Sequence, residues 1–296
     1  MRSEFHWATE SVRLHPPVAT CVRIVPHDCR DGASDLPRTI TIGNYAFAVE
    51  PGAHRRFWER VARGDWEPET FVIFDRFIRE DTLFVDIGAW IGSTALYGVQ
   101  RADLCIAFEP DPVAFAELEI NVAVNAGEEW TKRLKINECA INKDGTPFTL
   151  GGSAEGADSM SSALFPNRDS QWTVRAKRLH DVLSIHRKPG QPVFIKIDIE
   201  GGEYDLLPAI SDVMADPLVT TYISFHPNML RRSTLLSKPP DKAHEEFVNQ
   251  HLAAIQSLPW ARSIVSGDGM EIDRTVLEDK FIRRARFPRV MLVSGP

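Results

Sequence analysis

From residue 82 onward, short apolar runs alternate with segments whose apolar positions recur at helical spacing. The runs are Leu83 to Ile87, Leu104 to Phe108, Leu134 to Ile141, Val193 to Ile199 and Val219 to Phe225. Helical segments follow from Ile91, from Pro112 to Asn125, from Gly202 and from Asp241 to Leu258. In the second of these, Phe115, Leu118, Val122 and Asn125 fall at three- or four-residue steps, the period of one helix face. Strands that are apolar throughout are buried on both faces, which requires a parallel sheet covered by helices on each side. Near the end, Arg262 to Ile272 and Arg286 to Val293 read as two strands with a poor helix between them. That pattern predicts an antiparallel edge hairpin.

The first 80 residues have a different texture. Pro16-Pro17, Pro26 and Pro37 lie among polar residues, so irregular structure is expected, with a short strand at Thr20 to Val25. Thr39 to Val49 alternates around a Gly-Asn turn signal and predicts a hairpin. His54 to Arg63 is helical in pattern, and Asp65 is expected to cap a second helix running through Phe71 to Ile78. The expected division is an N-terminal extension over residues 1–80 and an α/β domain over 81–296. Within that domain, Thr146 to Leu150 and Trp172 to Leu179 look like inserted strands flanking a Gly/Ser/Asp-rich loop. A loop of that length in a compact domain is either mobile or functional.

Composition narrows the classes. The 296 residues are 43% hydrophobic and 25% charged, ordinary values for a soluble globular chain able to bury a full core. A net charge of -7 disfavours nucleic-acid binding through a broad basic surface, and the Arg231-Arg232 and Arg283-Arg284 pairs read as solvated faces. No apolar run approaches the roughly 18 residues that span a bilayer, and the N-terminus lacks a secretory h-region. Cys105 and Cys139 sit in apolar runs as small buried hydrophobes, and Cys21 and Cys29 lack zinc-ligand spacing. A cytoplasmic setting is expected.

The candidate chemistry begins at F-V-D-I-G-A-W-I-G, Phe84 to Gly92. Ligands of parallel α/β sheets bind beyond the carboxyl ends of the strands, where Asp86 to Gly92 should lie. Gly88 permits a sharp turn and close approach to the backbone, and Gly92 lets the next helix pack close. The second strand ends in Phe108-Glu109-Pro110-Asp111. An acid at Glu109, a little over twenty residues past Asp86, suits the hydroxyls of a ribose. A dinucleotide site wants G-x-G-x-x-G facing a pyrophosphate. Here Ala89-Trp90 follows Gly88, and Asp86 would oppose phosphate. S-adenosylmethionine, with a ribose, an amino group and a sulfonium, fits Asp86 and Glu109 better.

A second constellation lies in V-F-I-K-I-D-I-E-G-G-E, Val193 to Glu203. Strand alternation puts Lys196, Asp198 and Glu200 on one face, where three charges cost much desolvation unless paired. Taken with F-V-D-I-G-A-W-I-G and I-A-F-E-P-D-P, this stretch resembles the FkbM family of S-adenosylmethionine-dependent methyltransferases. W-E-P-E-T-F and V-R-A-K-R-L-H-D-V-L add to the resemblance, which covers about residues 65 to 230. It implies the class I Rossmann-like fold, a seven-stranded, mostly parallel sheet ending in an antiparallel hairpin, and methylation usually at a hydroxyl oxygen. On that fold Ala140 comes near the adenine. Trp90 stands where the family more commonly has Asn.

An alcohol is a weak nucleophile at neutral pH, so a base should take its proton as the bond forms. Asp198 and His226 are the candidates, at the ends of the fourth and fifth strands; Glu200 would orient the acceptor or pair with Lys196. Asp198, Glu200 and His226 could instead converge on a divalent ion, but the sequence fixes no ligand spacing and no metal is assigned. The expected cofactor contacts are Asp86, Gly88, Ala89, Trp90, Gly92, Glu109, Pro110, Asp111, Ala140 and Asp198. The expected acceptor is a hydroxyl of a sugar, a glycan or a secondary metabolite. The competing readings are a dinucleotide-dependent oxidoreductase and a non-catalytic binding module built on the same fold.

Overall fold

The computed structural model describes residues 37–153, 160–267, 269–275, 277 and 290–294. The expected strand at Thr20 to Val25, Cys21, Cys29, Arg283-Arg284 and part of the inserted Gly/Ser/Asp-rich loop lie outside the described residues. The described chain opens with a hairpin: β1 (Arg38–Ile42) and β2 (Tyr45–Val49) pair antiparallel with Ile42 opposite Tyr45, as the alternation predicts. Helices α1 (Arg55–Arg63) and α2 (Pro68–Phe77) follow. Asp65 does not cap α2 but accepts from Arg63 Nε at 2.8 Å. The helix starts later because Pro68 has no N–H to leave unsatisfied and a φ already helical, so it takes the first position.

The strand-helix alternation then runs as β3 (Leu83–Ile87), α3 (Ser93–Gly98), β4 (Leu104–Phe108), α4 (Pro112–Ala123) and β5 (Leu134–Asn137). The inserted region holds β6 (Ala140–Ile141), β7 (Phe148–Gly152), β8 (Ser170–Val174) and β9 (Ala176–Lys177), and leads to α5 (Leu179–His186). The remainder is β10 (Val193–Ile197), α6 (Glu203–Ala209), α7 (Ser211–Ala215), β11 (Val219–Ser224), α8 (Pro227–Ser237), α9 (Pro240–Gln256), β12 (Ser263–Ser266) and β13 (Val290–Ser294).

The main sheet has seven strands in the order β12-β13-β11-β10-β3-β4-β5. The five from β11 to β5 are mutually parallel. β13 runs antiparallel to both β11 and β12, which is the expected terminal hairpin with its second strand placed inside. One face carries Val85, Ile87, Ile195 and Ile197 against Leu206, Leu207 and Ile255 of α6 and α9. The other carries Phe84, Phe194 and Tyr222 against Trp58 and Phe74 of α1 and α2, with the Phe74 ring 5.2 Å from both Phe84 and Phe194. The N-terminal helices thus form one of the two layers that bury the sheet. The hairpin is fastened by two asparagines, Asn121 in α4 and Asn125 just past its end. The Asn125 side chain accepts from Ala48 N at 2.8 Å and donates to Ala48 O at 2.7 Å, and Asn121 accepts from Glu50 N at 2.8 Å.

Several expected boundaries moved, among them that of the strand from Arg262, which ends at Ser266. Leu134 to Ile141 is two strands, because the Asn137 carbonyl accepts from Glu109 N and Cys139 N and turns the chain, and β6 pairs with β9 instead. Trp172 to Leu179 breaks between Val174 and Ala176, and Leu179 begins a helix. The expected strand to Ile199 ends at Ile197. No helix of the described residues is long and apolar enough to cross a membrane.

Candidate active site

Asp86 ends up fully buried between two strands and does not line the cleft. Lys196, opposite it in register, reaches Asp86 Oδ1 at 3.2 Å and donates to Gly88 O at 2.9 Å, while Thr94 Oγ1 donates to Asp86 Oδ2 at 2.7 Å. Burial works against the Lys196 charge, but Asp86 and Asp198 outweigh it and hold the ammonium above its ordinary value. The expectation that Asp86 faces the cofactor's cationic groups is therefore corrected: its carboxylate is committed to Lys196 and Thr94 beneath the turn. Gly88 does adopt the left-handed φ of 84°. What approaches it closely is the Asp198 carbonyl oxygen, which a Cβ would meet at 1.9 Å. Gly92 lies behind the cleft, where a Cβ would meet Leu118 of α4 at 2.7 Å. The close packing it permits is with α4, not with the helix that follows it.

Glu109 faces the cleft from the end of β4. Its two oxygens accept from Trp90 N and Asp111 N, each at 2.8 Å, which locks the carboxylate in place. Burial pushes this carboxyl up to about 7 in spite of both amides. Trp90 takes a left-handed φ of 48°, and its ring packs edge-on to Phe57 at 4.5 Å and to His54 at 5.0 Å. The indole both packs on α1 and lines the cleft. Asp111 does not line the cleft. It caps α4, accepting from Val113 N at 2.8 Å, and receives Ser161 Oγ at 2.6 Å.

At the far end, Asp198, Glu200 and His226 come together as their strand-end positions predict. His226 Nε2 lies 3.4 Å from Asp198 Oδ1 and 3.5 Å from Glu200 Oε1. Glu200 is not there by strand alternation: β10 has already ended, and a left-handed φ of 49° swings Glu200 to the cluster. Behind them sits Glu203, wholly buried. It accepts from Gly201 N at 2.8 Å and His226 N at 2.7 Å, and its Oε1 is 3.3 Å from His226 Nδ1. Burial alone would lower the His226 pKa. Glu203, Asp198 and Glu200 outweigh it and push the value up to about 9. The ordinary imidazole value expected from sequence does not apply.

Glu109, Asp198, Glu200 and His226 line one cleft of about 1000 Å³. Gly88, Ala89, Trp90, Glu109, Pro110, Ala140 and Asp198 line it from the expected cofactor set. Sequence reasoning assigned no role to Trp66 and Glu67, which line it from the segment before α2, or to Glu203. The signal for the first two was present in W-E-P-E-T-F. For Glu203 it was the last residue of the E-G-G-E string. The inserted β7–β8 hairpin reaches the same place: Gly151 and Ser162 exchange backbone hydrogen bonds, and Ser162 Oγ donates to Glu200 O at 2.7 Å.

Residues 86–252 match the model of the methyltransferase FkbM domain. Among solved structures, the FkbM methyltransferase of Methylobacillus flagellatus KT aligns at 15% identity and a TM-score of 0.40, covering 80% of this chain and 52% of that one. The chain thus spans about half the length of that relative. An rRNA methylase of Streptococcus thermophilus aligns at 10% identity and a TM-score of 0.35, over 77% of this chain and 95% of that one. A geranyl diphosphate methyltransferase in complex with its diphosphate and sinefungin aligns at 10% identity and a TM-score of 0.36, over 82% and 83%. No curated protein matches the chain. Because the family model spans more than half of its residues, the chain belongs to the FkbM family of S-adenosylmethionine-dependent methyltransferases and has their class I fold.

Proposed function

We propose that this chain transfers a methyl group from S-adenosylmethionine to a hydroxyl of a sugar, a glycan or a secondary metabolite. The observation that carries the reading is the single cleft that has Glu109 at one end and the Asp198–His226 pair at the other. The residues fit the cofactor. Glu109 offers immobilised acceptor oxygens to the ribose hydroxyls, the Gly88-Ala89-Trp90 turn and Pro110 form a wall, and Ala140 leaves room for a flat base. The cofactor supplies a methyl on a sulfonium: the acceptor O–CH₃ bond forms, the S–CH₃ bond breaks, and the hydroxyl proton leaves.

Asp198 is the better acceptor for that proton. His226, with a pKa near 9, holds its own proton at neutral pH and is suited to stabilising charge on Asp198. Holding the two reacting groups in line supplies most of the rate. Phe57 of α1 and Trp66 of the segment between α1 and α2 line the cleft together with Trp90 and would flank the acceptor. Calorimetry with S-adenosylhomocysteine tests the cofactor half: the chain should bind it, and Glu109→Ala should weaken binding by about tenfold or more, roughly 1.4 kcal/mol. For the chemical half, Asp198→Asn should reduce methylation of a panel of hydroxyl acceptors with little change in that affinity. Absence of binding, or full activity in Asp198→Asn, would refute the corresponding half.

A further inference from the structure

We infer that Asp198, Glu200 and His226 together bind a divalent cation at the acceptor end of the cleft. They arrive from separate places: the residue after β10, the left-handed residue two further on, and the residue that opens α8. One ligand atom from each lies within 4.8 Å of the others. Nε2 of His226 stands 3.4 and 3.5 Å from the nearest oxygens of Asp198 and Glu200. Ligand atoms bonded at about 2.1 Å to one ion stand roughly 3 to 3.5 Å apart, so the two separations from Nε2 already fit a shared ion.

The imidazole is also arranged as a ligand. A metal-bound histidine usually gives its other ring N–H to a carboxylate, which fixes tautomer and orientation. Glu203 Oε1 lies 3.3 Å from Nδ1, and Glu203 is itself held rigidly by the backbone N–H groups of Gly201 and His226. An ion would displace the proton on Nε2; with Nδ1–H directed at Glu203, the Nε2 lone pair then faces Asp198 and Glu200. Nor is Asp198 spent on Lys196: that ammonium stands 3.8 Å from it and 3.2 Å from Asp86. Four carboxylates, Asp86, Asp198, Glu200 and Glu203, lie around one ammonium and one imidazole. With the imidazole neutral, as a ligand must be, that set carries an excess of negative charge that a doubly charged ion largely offsets.

One nitrogen and two oxygens suit manganese or zinc better than calcium, which takes oxygens alone. A further coordination position would face the cleft and take an oxygen of the acceptor. That last role rests on the methyl-transfer reading; the binding site does not.

The test uses the full chain, stripped with a chelator and dialysed. Manganese chloride is titrated with free Mn²⁺ read by electron paramagnetic resonance, and zinc chloride is titrated by calorimetry. The expected result is one ion per chain, with affinity reduced in Asp198→Asn and Glu200→Gln. In Glu203→Gln, which only positions His226, the loss should be roughly 10- to 100-fold. No saturable binding of either ion to the wild-type chain up to about 1 mM, beyond which even weak protein sites are filled, would overturn the inference whatever the variants do. Binding unchanged in both ligand variants would overturn it as well. S-adenosylhomocysteine titrated into the same samples separates the two readings. An ion bound without the cofactor supports this site and removes methyl transfer; the cofactor bound without an ion removes this site alone.

Discussion

His226 shows how a residue's neighbours reset its chemistry. Its pKa stands at about 9 in the folded chain against an ordinary 6.5, so the native state holds a proton that the unfolded chain releases earlier. The linked stability is fully present below about 6.5 and disappears as the pH rises through about 9. Its size is on the order of 3 kcal/mol. In urea denaturation of the metal-free chain, the gap in stability between wild type and His226→Gln should therefore narrow over that interval; a gap independent of pH would contradict it. Sequence placed Asp198, Glu200 and His226 near one another, since all three follow strand ends. It could not bring their pairings. Lys196 finds Asp86 because β10 and β3 lie in a register that puts them opposite each other, and register is not written in either strand. Glu203 went unnoticed because an acid in the first turn of a helix has an ordinary explanation in the helix dipole.

Elements were legible where the pattern was long and uniform, and were lost where one residue interrupts it. The five parallel strands and α4 were readable because each is a continuous apolar run or a full helical stripe. α8 was not, being a helix with Arg231, Arg232, Ser233 and Thr234 through its middle. The inserted region could be read as two strands and a loop, but not as a support for the site. There, β7 and the Ser161-Ser162 segment fasten the cluster's backbone to the rest of the molecule. Ser162 is fully buried, gives its hydroxyl to the carbonyl of Glu200 and takes the N–H of Leu164. Glu200 depends on that hold, because its left-handed backbone is an uncommon conformation for a residue with a side chain. Ser162→Ala should lower unfolding stability by about 1 to 3 kcal/mol, as expected when a buried carbonyl loses its donor. It should also reduce methylation more than cofactor affinity. Equal stability in thermal melts of the two proteins would rule that out.

At the scale of the molecule, the sheet is closed by layers of different origin: α6 and α9 on one face, α1 and α2 on the other. The two asparagines that tie β2 to α4 bear on how the molecule behaves among its own copies. Ala48 and Glu50 point their backbone groups away from β1, toward the side where another strand would add. Asn125 meets Ala48 with one acceptor and one donor, as the peptide of a neighbouring strand would. Asn121 fills the next place along. The pair therefore acts as a two-residue dummy strand that ends the hairpin's growth, a device against edge-to-edge aggregation carried by a helix. Asn125→Leu would fill the same space and remove the blockage. It should cost on the order of 3 kcal/mol through the stranded Ala48 groups. Light scattering should then show association that increases with protein concentration, by one hairpin edge seeking another.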